Sequence, residues 1–154
     1  MVVKSLVKTI PETPPAARIL TKRDIPTVDV NANVLEVANL MKTTGVRNVF
    51  VSKAGKYMRI VRDIDLVLKV IEPQLDPKTI IAENVMHPQL PSVDIDAGIS
   101  EISRLMADTG VRRVAVTEKG KVIGSITAGD LLQLVSFASR TDWIQILIQK
   151  QKAL

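Results

Sequence analysis

The pattern of apolar and polar positions repeats along the chain. Residues 28–70 align without a gap on residues 93–135, and about 17 of about 43 aligned positions are identical, where chance would give about three. The spacing between the copies is about 65 residues. The chain therefore contains two copies of one supersecondary unit.

Each copy opens with a helix pattern. In the first copy, Asn33 and Glu36 have the spacing of an N-cap residue and its N3 glutamate. Apolar residues follow at helical spacing, and a glycine suited to a left-handed C-terminal position ends the pattern at Gly45. These apolar residues, predicted to face the core, are Val34, Val37 and Met41. The corresponding residues of the second copy are Gly98, Glu101, Ile99, Ile102, Met106 and Gly110.

A β-hairpin and a second helix are predicted next. The segments "VRNVFV" and "VRRVAV" are short and β-branched, "KAGK" and "EKGK" each carry a turn glycine, and "YMRIVR" and "VIGSIT" return as partner strands. A helix then starts at Asp65 or Asp130, and the first of these ends before Pro73. With short strands at "PTVDV" and "PSVDI", the order is β-α-β-β-α.

One such unit of about 60 residues buries too little surface to be stable alone. Its strands are almost wholly apolar, which is typical of a sheet covered on both faces. We therefore predict an α/β (α+β) fold in which two β-α-β-β-α repeats pack sheet to sheet with pseudo-twofold symmetry. The expected parts are an N-terminal arm (1–11), a first domain (12–75), a second domain (76–138) and a C-terminal helix (139–154).

Composition excludes several classes of protein. Among 154 residues there is no cysteine, which removes disulfides, thiolate zinc sites and cysteine nucleophiles. No apolar run reaches the roughly 18 residues of a membrane span, and Lys4 and Lys8 interrupt the start, so we expect no membrane association and a cytoplasmic location. The net charge of +5 permits contact with nucleic acid, phosphates or an acidic partner.

No catalytic motif accompanies this composition. His87 is the single histidine, and because Pro88 follows it in a connecting segment we expect a loop residue rather than a general base. The segment "GKVIG" lacks the spacing of a P-loop. We therefore expect no enzymatic activity and no metal site.

The segment "GSITAGDLL" carries the main candidate site. Thr127 and Asp130 fit a helix N-terminus, where the hydroxyl caps a backbone N–H and the carboxylate favours the positive end of the helix dipole. The same carboxylate can accept hydrogen bonds from both vicinal hydroxyls of a ribose. Gly124 and Gly129 would let a ligand approach the backbone. Both interpretations stay open at this point.

A phosphate needs a different partner, because Asp130 repels it. Arg112 and Arg113 are neighbours on one strand, so their side chains point to opposite faces and one of them can serve as the phosphate donor.

The repeated segment "LMxxTGVRxVxV", followed in the second copy by "GKxxGxITxxDLL", resembles a tandem pair of CBS (cystathionine beta-synthase) domains, a Bateman-type module, over roughly residues 12–138. The resemblance implies a regulatory module that binds adenosine compounds in clefts between the repeats and forms homodimers. It assigns Arg113 to the ligand phosphate, with Arg112 as a second candidate. It also implies an adenine pocket completed by Ile19 and Leu20 of "ARIL" and by the strand at Asn48 and Val49.

The first copy departs from this pattern. Arg62 replaces the threonine, and only Asp65 of the motif remains. Either Arg62 fills the pocket by pairing with Asp65 or Asp63, or the pocket accepts a more anionic ligand. We expect an impaired second site.

The leading hypothesis is a non-catalytic module whose regulatory ligand is an adenosine nucleotide such as AMP, ADP or ATP, with no other cofactor. We expect a homodimer, and any regulated protein is expected to be a separate chain. A nucleic-acid binder is the weaker alternative, because stacking aromatics are few. A structural dimerisation adaptor with empty clefts is the third.

Overall fold

A computed structural model of the chain describes residues 15–138, with side chains as far as residue 136. The predicted N-terminal arm (1–11) and C-terminal helix (139–154) lie outside the described residues. Contacts divide the chain into two units. The first unit spans Asp24–Pro91, and the second combines the described residues up to Arg23 with those from Ser92 onward.

The first unit contains the first repeat and the segment that follows it. Its central strand, β2, pairs in parallel with β1 and antiparallel with β3. Its elements in chain order are β1 (Thr27–Asp29), α2 (Val34–Thr44), β2 (Asn48–Lys53), β3 (Lys56–Arg62), α3 (Asp63–Leu66) continuing as a π-helical turn (Val67–Ile71), and α4 (Ala82–Val85).

The second unit contains the second repeat and, from the N-terminal side of the first repeat, the helix α1. Its sheet has the same order, with β5 between β4 and β6. Its elements are α1 (Ala16–Leu20), β4 (Ser92–Asp94), α5 (Ile99–Thr109), β5 (Arg113–Glu118), β6 (Lys121–Thr127) and α6 (Ala128–Ala138). The predicted β-α-β-β-α order is thus confirmed in both repeats.

Local sequence explains the ends of the first long helix of each repeat. The Asn33 side chain accepts a hydrogen bond from the Glu36 amide at 3.0 Å, and the Glu36 carboxylate accepts one from the Asn33 amide at 2.7 Å. Gly98 occupies the N-cap position of α5 without a side chain to contribute. Gly45 and Gly110 end the two helices with φ of 70° and 67°, where an L side chain would be strained.

The predicted apolar stripes face the core. Val34, Val37 and Met41 are buried in the first unit, while Ile102 and Met106 are buried and Ile99 is half-buried in the second. The other buried apolar residues of the first unit are Val30, Val49, Phe50, Val51, Ile60, Val61, Val70, Ala82 and Val85.

Both second helices begin two residues earlier than predicted, at Asp63 and Ala128. The reason is that Asp65 and Asp130 are N3 residues, whose carboxylates accept hydrogen bonds from the backbone N–H groups of Arg62 and Thr127. As far as residue 138, only the first of these helices passes into a π-helical turn, at Val67–Ile71.

Each unit also contains a short helical segment that precedes the other repeat in the chain. In the second unit, the Ala17 amide donates to the Ala97 carbonyl at 3.1 Å. In the first unit, the Ala82 amide donates to the Ala32 carbonyl at 2.8 Å. Among the described residues, no helix has the length and apolar character needed to cross a membrane.

Candidate functional site

Thr127 and Asp130 form a reciprocal cap at the start of α6. The Asp130 carboxylate accepts at Oδ2 from the Thr127 amide at 2.8 Å and from the Thr127 hydroxyl at 2.7 Å. The Asp130 amide in turn donates to Thr127 Oγ1 at 3.2 Å. Of the two roles left open for this pair, the capping role is therefore observed, and it uses one carboxylate oxygen.

The other carboxylate oxygen faces Lys22. Lys22 Nζ lies 2.5 Å from Asp130 Oδ1, and the side chains are 61% and 6% exposed respectively. Burial by itself raises the pKa of Asp130, but hydrogen bonds from Lys22 and Thr127 outweigh it and hold that pKa below its usual value. Asp130 is thus a buried, charged carboxylate whose second oxygen is reached by one solvent-exposed side chain.

The backbone of Lys22 is fixed beside β6. Its amide donates to the Ser125 carbonyl at 2.9 Å, and the Ser125 amide donates to the Lys22 carbonyl at 2.8 Å. A Cβ atom on Gly124 would lie 2.6 Å from the Lys22 carbonyl oxygen and would also collide with the Thr21 methyl group. The predicted role of Gly124 in ligand approach is therefore wrong, because its open side is filled by the chain itself.

Gly129 differs from Gly124. The nearest atom to a Cβ built at Gly129 would be Thr127 Oγ1 at 3.6 Å, an ordinary contact, and the residue is exposed. The backbone beside Asp130 is thus open at Gly129.

Arg113 lies on the strand next to Thr127. The two residues are direct cross-strand partners, and Arg113 Nη1 donates to Ser125 Oγ at 2.9 Å. Because Ser125 and Thr127 are two apart on β6, their side chains share a face with Arg113. Arg112 is exposed, and its carbonyl accepts from the Ala128 amide at 2.9 Å. The structure therefore places Arg113 beside Thr127 of the Thr127–Asp130 pair, and the backbone of Arg112 at the start of the same helix.

Ile19 and Leu20 lie on α1 in the same unit. Ile19 lines a cavity of about 480 Å³. Leu20 is half-buried and does not belong to the lining of this cavity. Thr21 and Arg23 line this cavity as well, and Lys22 between them in the chain reaches Asp130. The full lining is Arg18, Ile19, Thr21, Arg23, Ile95, Glu118 and Ile123.

The equivalent site of the first repeat contains its own cations. Arg62 donates to Asp65 from Nε at 2.9 Å and from Nη2 at 2.8 Å, and Lys69 Nζ lies 3.7 Å from the same carboxylate. Burial raises the pKa of Asp65, but the hydrogen bonds from Arg62 outweigh it and the pKa is lowered. Arg62 thus pairs with Asp65, while Asp63 binds Arg47 at 2.7 Å.

The family is decided by a comparison of the whole sequence with protein-family models. The CBS domain matches residues 16–72 and again residues 82–136. The chain belongs to the CBS-domain family. CBS-domain proteins are typically regulatory, non-catalytic modules.

The chain is also similar to individual proteins and solved structures. The chain is 30% identical to the uncharacterized protein MK0525 of Methanopyrus kandleri over 124 residues, which are 79% of this chain and 63% of that protein. A CBS-domain protein from Burkholderia ambifaria MC40-6 has a TM-score of 0.71 at 26% identity, covering 90% of this chain and 95% of that one. A hexameric CBS-CP12 protein from bloom-forming cyanobacteria has a TM-score of 0.68 at 29% identity, covering 82% and 73%.

Two residues suggested by the CBS resemblance, Asn48 and Val49, lie on β2 of the first unit. Asn48 is buried and its side-chain nitrogen donates to the Arg47 carbonyl at 2.6 Å. Val49 is fully buried in the core of that unit. His87, as predicted, lies in a loop, where Nδ1 accepts from the Gln89 amide at 3.2 Å.

Sequence reasoning missed Lys22. The sequence repeat could have indicated this segment. When the alignment of the two repeats is extended toward the N-terminus, Lys22 aligns with His87 and Ala17 aligns with Ala82. The matching backbone contacts follow this alignment: the His87 amide donates to the Ile60 carbonyl at 2.7 Å, as the Lys22 amide does to Ser125.

Proposed function

We propose that the chain is a non-catalytic regulatory CBS module that binds an adenosine nucleotide, or a related adenosyl ligand, at Asp130 of the second unit. The observation that carries this proposal is the state of the Asp130 carboxylate. One oxygen is fixed by Thr127, while the other is covered by the exposed side chain of Lys22. Movement of one flexible side chain would free a charged acceptor for the ribose hydroxyls.

Arg113 supports the assignment of a phosphorylated ligand. Its guanidinium group is held near Thr127 by the cross-strand pairing and by the hydrogen bond to Ser125. A guanidinium group that is positioned in this way suits a phosphate, which accepts two parallel hydrogen bonds from it. Gly129 leaves the adjoining backbone open to the sugar.

We further propose one functional nucleotide site per chain. In the first repeat, the bidentate contact of Arg62 supplies Asp65 with the hydrogen bonds that a ribose would otherwise donate. Displacing Arg62 would leave its largely buried guanidinium group without this carboxylate and Asp65 with only the more distant Lys69, which is more costly than displacing the exposed side chain of Lys22.

The proposed assembly is a homodimer. Large apolar side chains are exposed on the second helix of each repeat, for example Leu68 and Ile71 in the first unit and Leu132 in the second. Such exposure is typical of a protein that buries the surface against a partner. The hexameric CBS-CP12 neighbour supports self-association in this family.

Calorimetric titration of the purified chain with AMP, ADP and ATP tests the ligand proposal. We expect binding of at least one of them by the wild type, and a loss of roughly tenfold or more in Asp130→Asn, because the neutral amide is a weaker acceptor for sugar hydroxyls. Asp24→Asn, which removes an exposed carboxylate elsewhere, is the matched control and should bind as the wild type does. Absence of binding to every adenosyl ligand would overturn the proposal.

A further inference from the structure

The cation on the Asp130 carboxylate comes from a different part of the chain than the cation on Asp65. Arg62 and Lys69 belong to the same repeat as Asp65. Lys22, in contrast, lies in the segment that precedes the first repeat, and its side chain extends over the second repeat to Asp130. The two backbone hydrogen bonds with Ser125 hold this segment in place. Lys22 can therefore change its side-chain contact without moving its backbone.

We infer that Lys22 determines which ligands the Asp130 site accepts. It is an internal cation that a sugar must displace from Asp130, and its released ammonium group then favours ligands that carry phosphate over neutral nucleosides. This inference rests on the proposed function, because it concerns the ligand of the same site.

The physical reason lies in the balance of charge. A neutral diol can replace the hydrogen bond from Lys22 but not its positive charge. The negative charge of the buried Asp130 carboxylate would then be less well neutralised than it is by Lys22. The ammonium group would also lose its partner. A phosphorylated ligand avoids the second loss, because its anionic group gives the released ammonium a new charged partner.

The geometry of Lys22 permits this exchange. The Lys22 side chain is 61% exposed, and a lysine ammonium group is a mobile point charge on a four-carbon stem. Arg113, next to Thr127 on the neighbouring strand, provides a second cation for the same phosphate. Lys22 and Arg113 would then bind the phosphate together, while Asp130 binds the sugar.

Titration of wild type and Lys22→Met with AMP and with adenosine tests the inference. We expect the affinity for AMP to fall by roughly tenfold, the usual effect of losing one charge-assisted hydrogen bond, and the affinity for adenosine to rise. The ratio of the AMP affinity to the adenosine affinity should therefore fall by more than about tenfold. Lys121→Met, which removes an equal and exposed charge at the opposite end of β6 from Thr127, should leave this ratio within about twofold of the wild type.

Lys22→Arg provides a second variant that keeps the charge, and it should retain most of the preference for AMP. If Lys22→Met binds both ligands with the wild-type affinity ratio, the inference is wrong and the proposed function stands. If the wild type and the variants bind neither adenosine nor any of AMP, ADP and ATP, both are wrong. If Lys22→Met does not fold, an AMP preference in Lys22→Gln equal to that of the wild type would overturn the inference alone.

Discussion

The guanidinium group of Arg62 forms two hydrogen bonds with the carboxylate of Asp65, at 2.9 Å and 2.8 Å. At the equivalent position of the second repeat, a threonine replaces the arginine, and the cation is Lys22 from a distant part of the sequence. The two repeats therefore neutralise the same buried carboxylate in different ways. In the first repeat the cation belongs to the same helix end, whereas in the second it can leave without disturbing that helix.

The Arg62 contact should contribute strongly to stability. In Arg62→Met, Asp65 keeps only the more distant Lys69 as a charged neighbour, so we expect a loss of about 3 kcal/mol in the free energy of unfolding, measured by urea denaturation. The control is Arg47→Met, which breaks the exposed pair with Asp63 and should cost at most about 1 kcal/mol. Equal losses in the two variants would contradict the structural role assigned to Arg62.

Gly124 should be intolerant of a side chain. Gly124→Ala would place a Cβ atom 2.6 Å from the Lys22 carbonyl, so the segment around Lys22 must shift. We expect a loss of about 1–3 kcal/mol by thermal or urea denaturation. Gly129→Ala is the same chemical change where the nearest contact would be 3.6 Å, and it should be neutral or stabilising by up to about 1 kcal/mol. A Gly124→Ala protein as stable as the wild type would contradict the close approach.

The order of elements could be predicted because local signals determine it. The box at Asn33 and Glu36 and the left-handed glycines Gly45 and Gly110 act within a few residues of themselves. The hairpins follow for the same reason, since Gly55 and Gly120 have positive φ in two-residue turns.

The features that could not be predicted depend on contacts between residues that are far apart in the chain. Nothing near Val67–Ile71 in the sequence distinguishes a π-helical turn from an α-helix. The pairing of Lys22 with Asp130 joins residues that are far apart in the chain, and a single glycine in β6 permits it. In the first repeat, Arg59 stands at the position that matches Gly124. The His87 amide still donates to the Ile60 carbonyl there, as the Lys22 amide donates to the Ser125 carbonyl. Of the predicted site, Thr127, Asp130 and Arg113 come together within one unit.

Acid should destabilise the protein through Asp130, and Lys22 should modulate the effect. Because the pKa of Asp130 is lowered on folding, its contribution to stability is fully present above the unfolded value of about 3.9 and is lost as pH falls through the folded pKa. Burial raises the pKa of Asp130. Without Lys22, the hydrogen bonds from Thr127 are left to oppose this effect. In Lys22→Met we therefore expect a higher Asp130 pKa and acid unfolding that begins at a higher pH.

Carboxyl NMR titration measures the Asp130 pKa directly, and circular dichroism follows acid unfolding. Arg23→Met, an exposed charge removed from the same segment, serves as the control. An Asp130 pKa that is the same in Lys22→Met and the wild type would be inconsistent with a direct Lys22–Asp130 ion pair.

Self-association should depend on the exposed apolar residues of the first unit. Leu68 and Ile71 are 57% and 67% exposed, so replacing both with glutamine costs little in the isolated chain. We expect the double variant to be monomeric at concentrations where the wild type is a dimer, as measured by light scattering after gel filtration. A wild type that stays monomeric at high concentration would contradict the proposed homodimer, and an unchanged dimer in the variant would exclude this surface.

In the proposed function, the Asp130 carboxylate binds the two hydroxyl groups of a ribose. Calorimetry of the wild type with AMP and with 2′,3′-dideoxy-AMP, which differ only in those hydroxyls, measures this interaction most directly. We expect one AMP per chain and an affinity for the dideoxy analogue lower by roughly 100-fold, the effect of two hydrogen bonds to a charged acceptor. Equal affinity for the two nucleotides would contradict it.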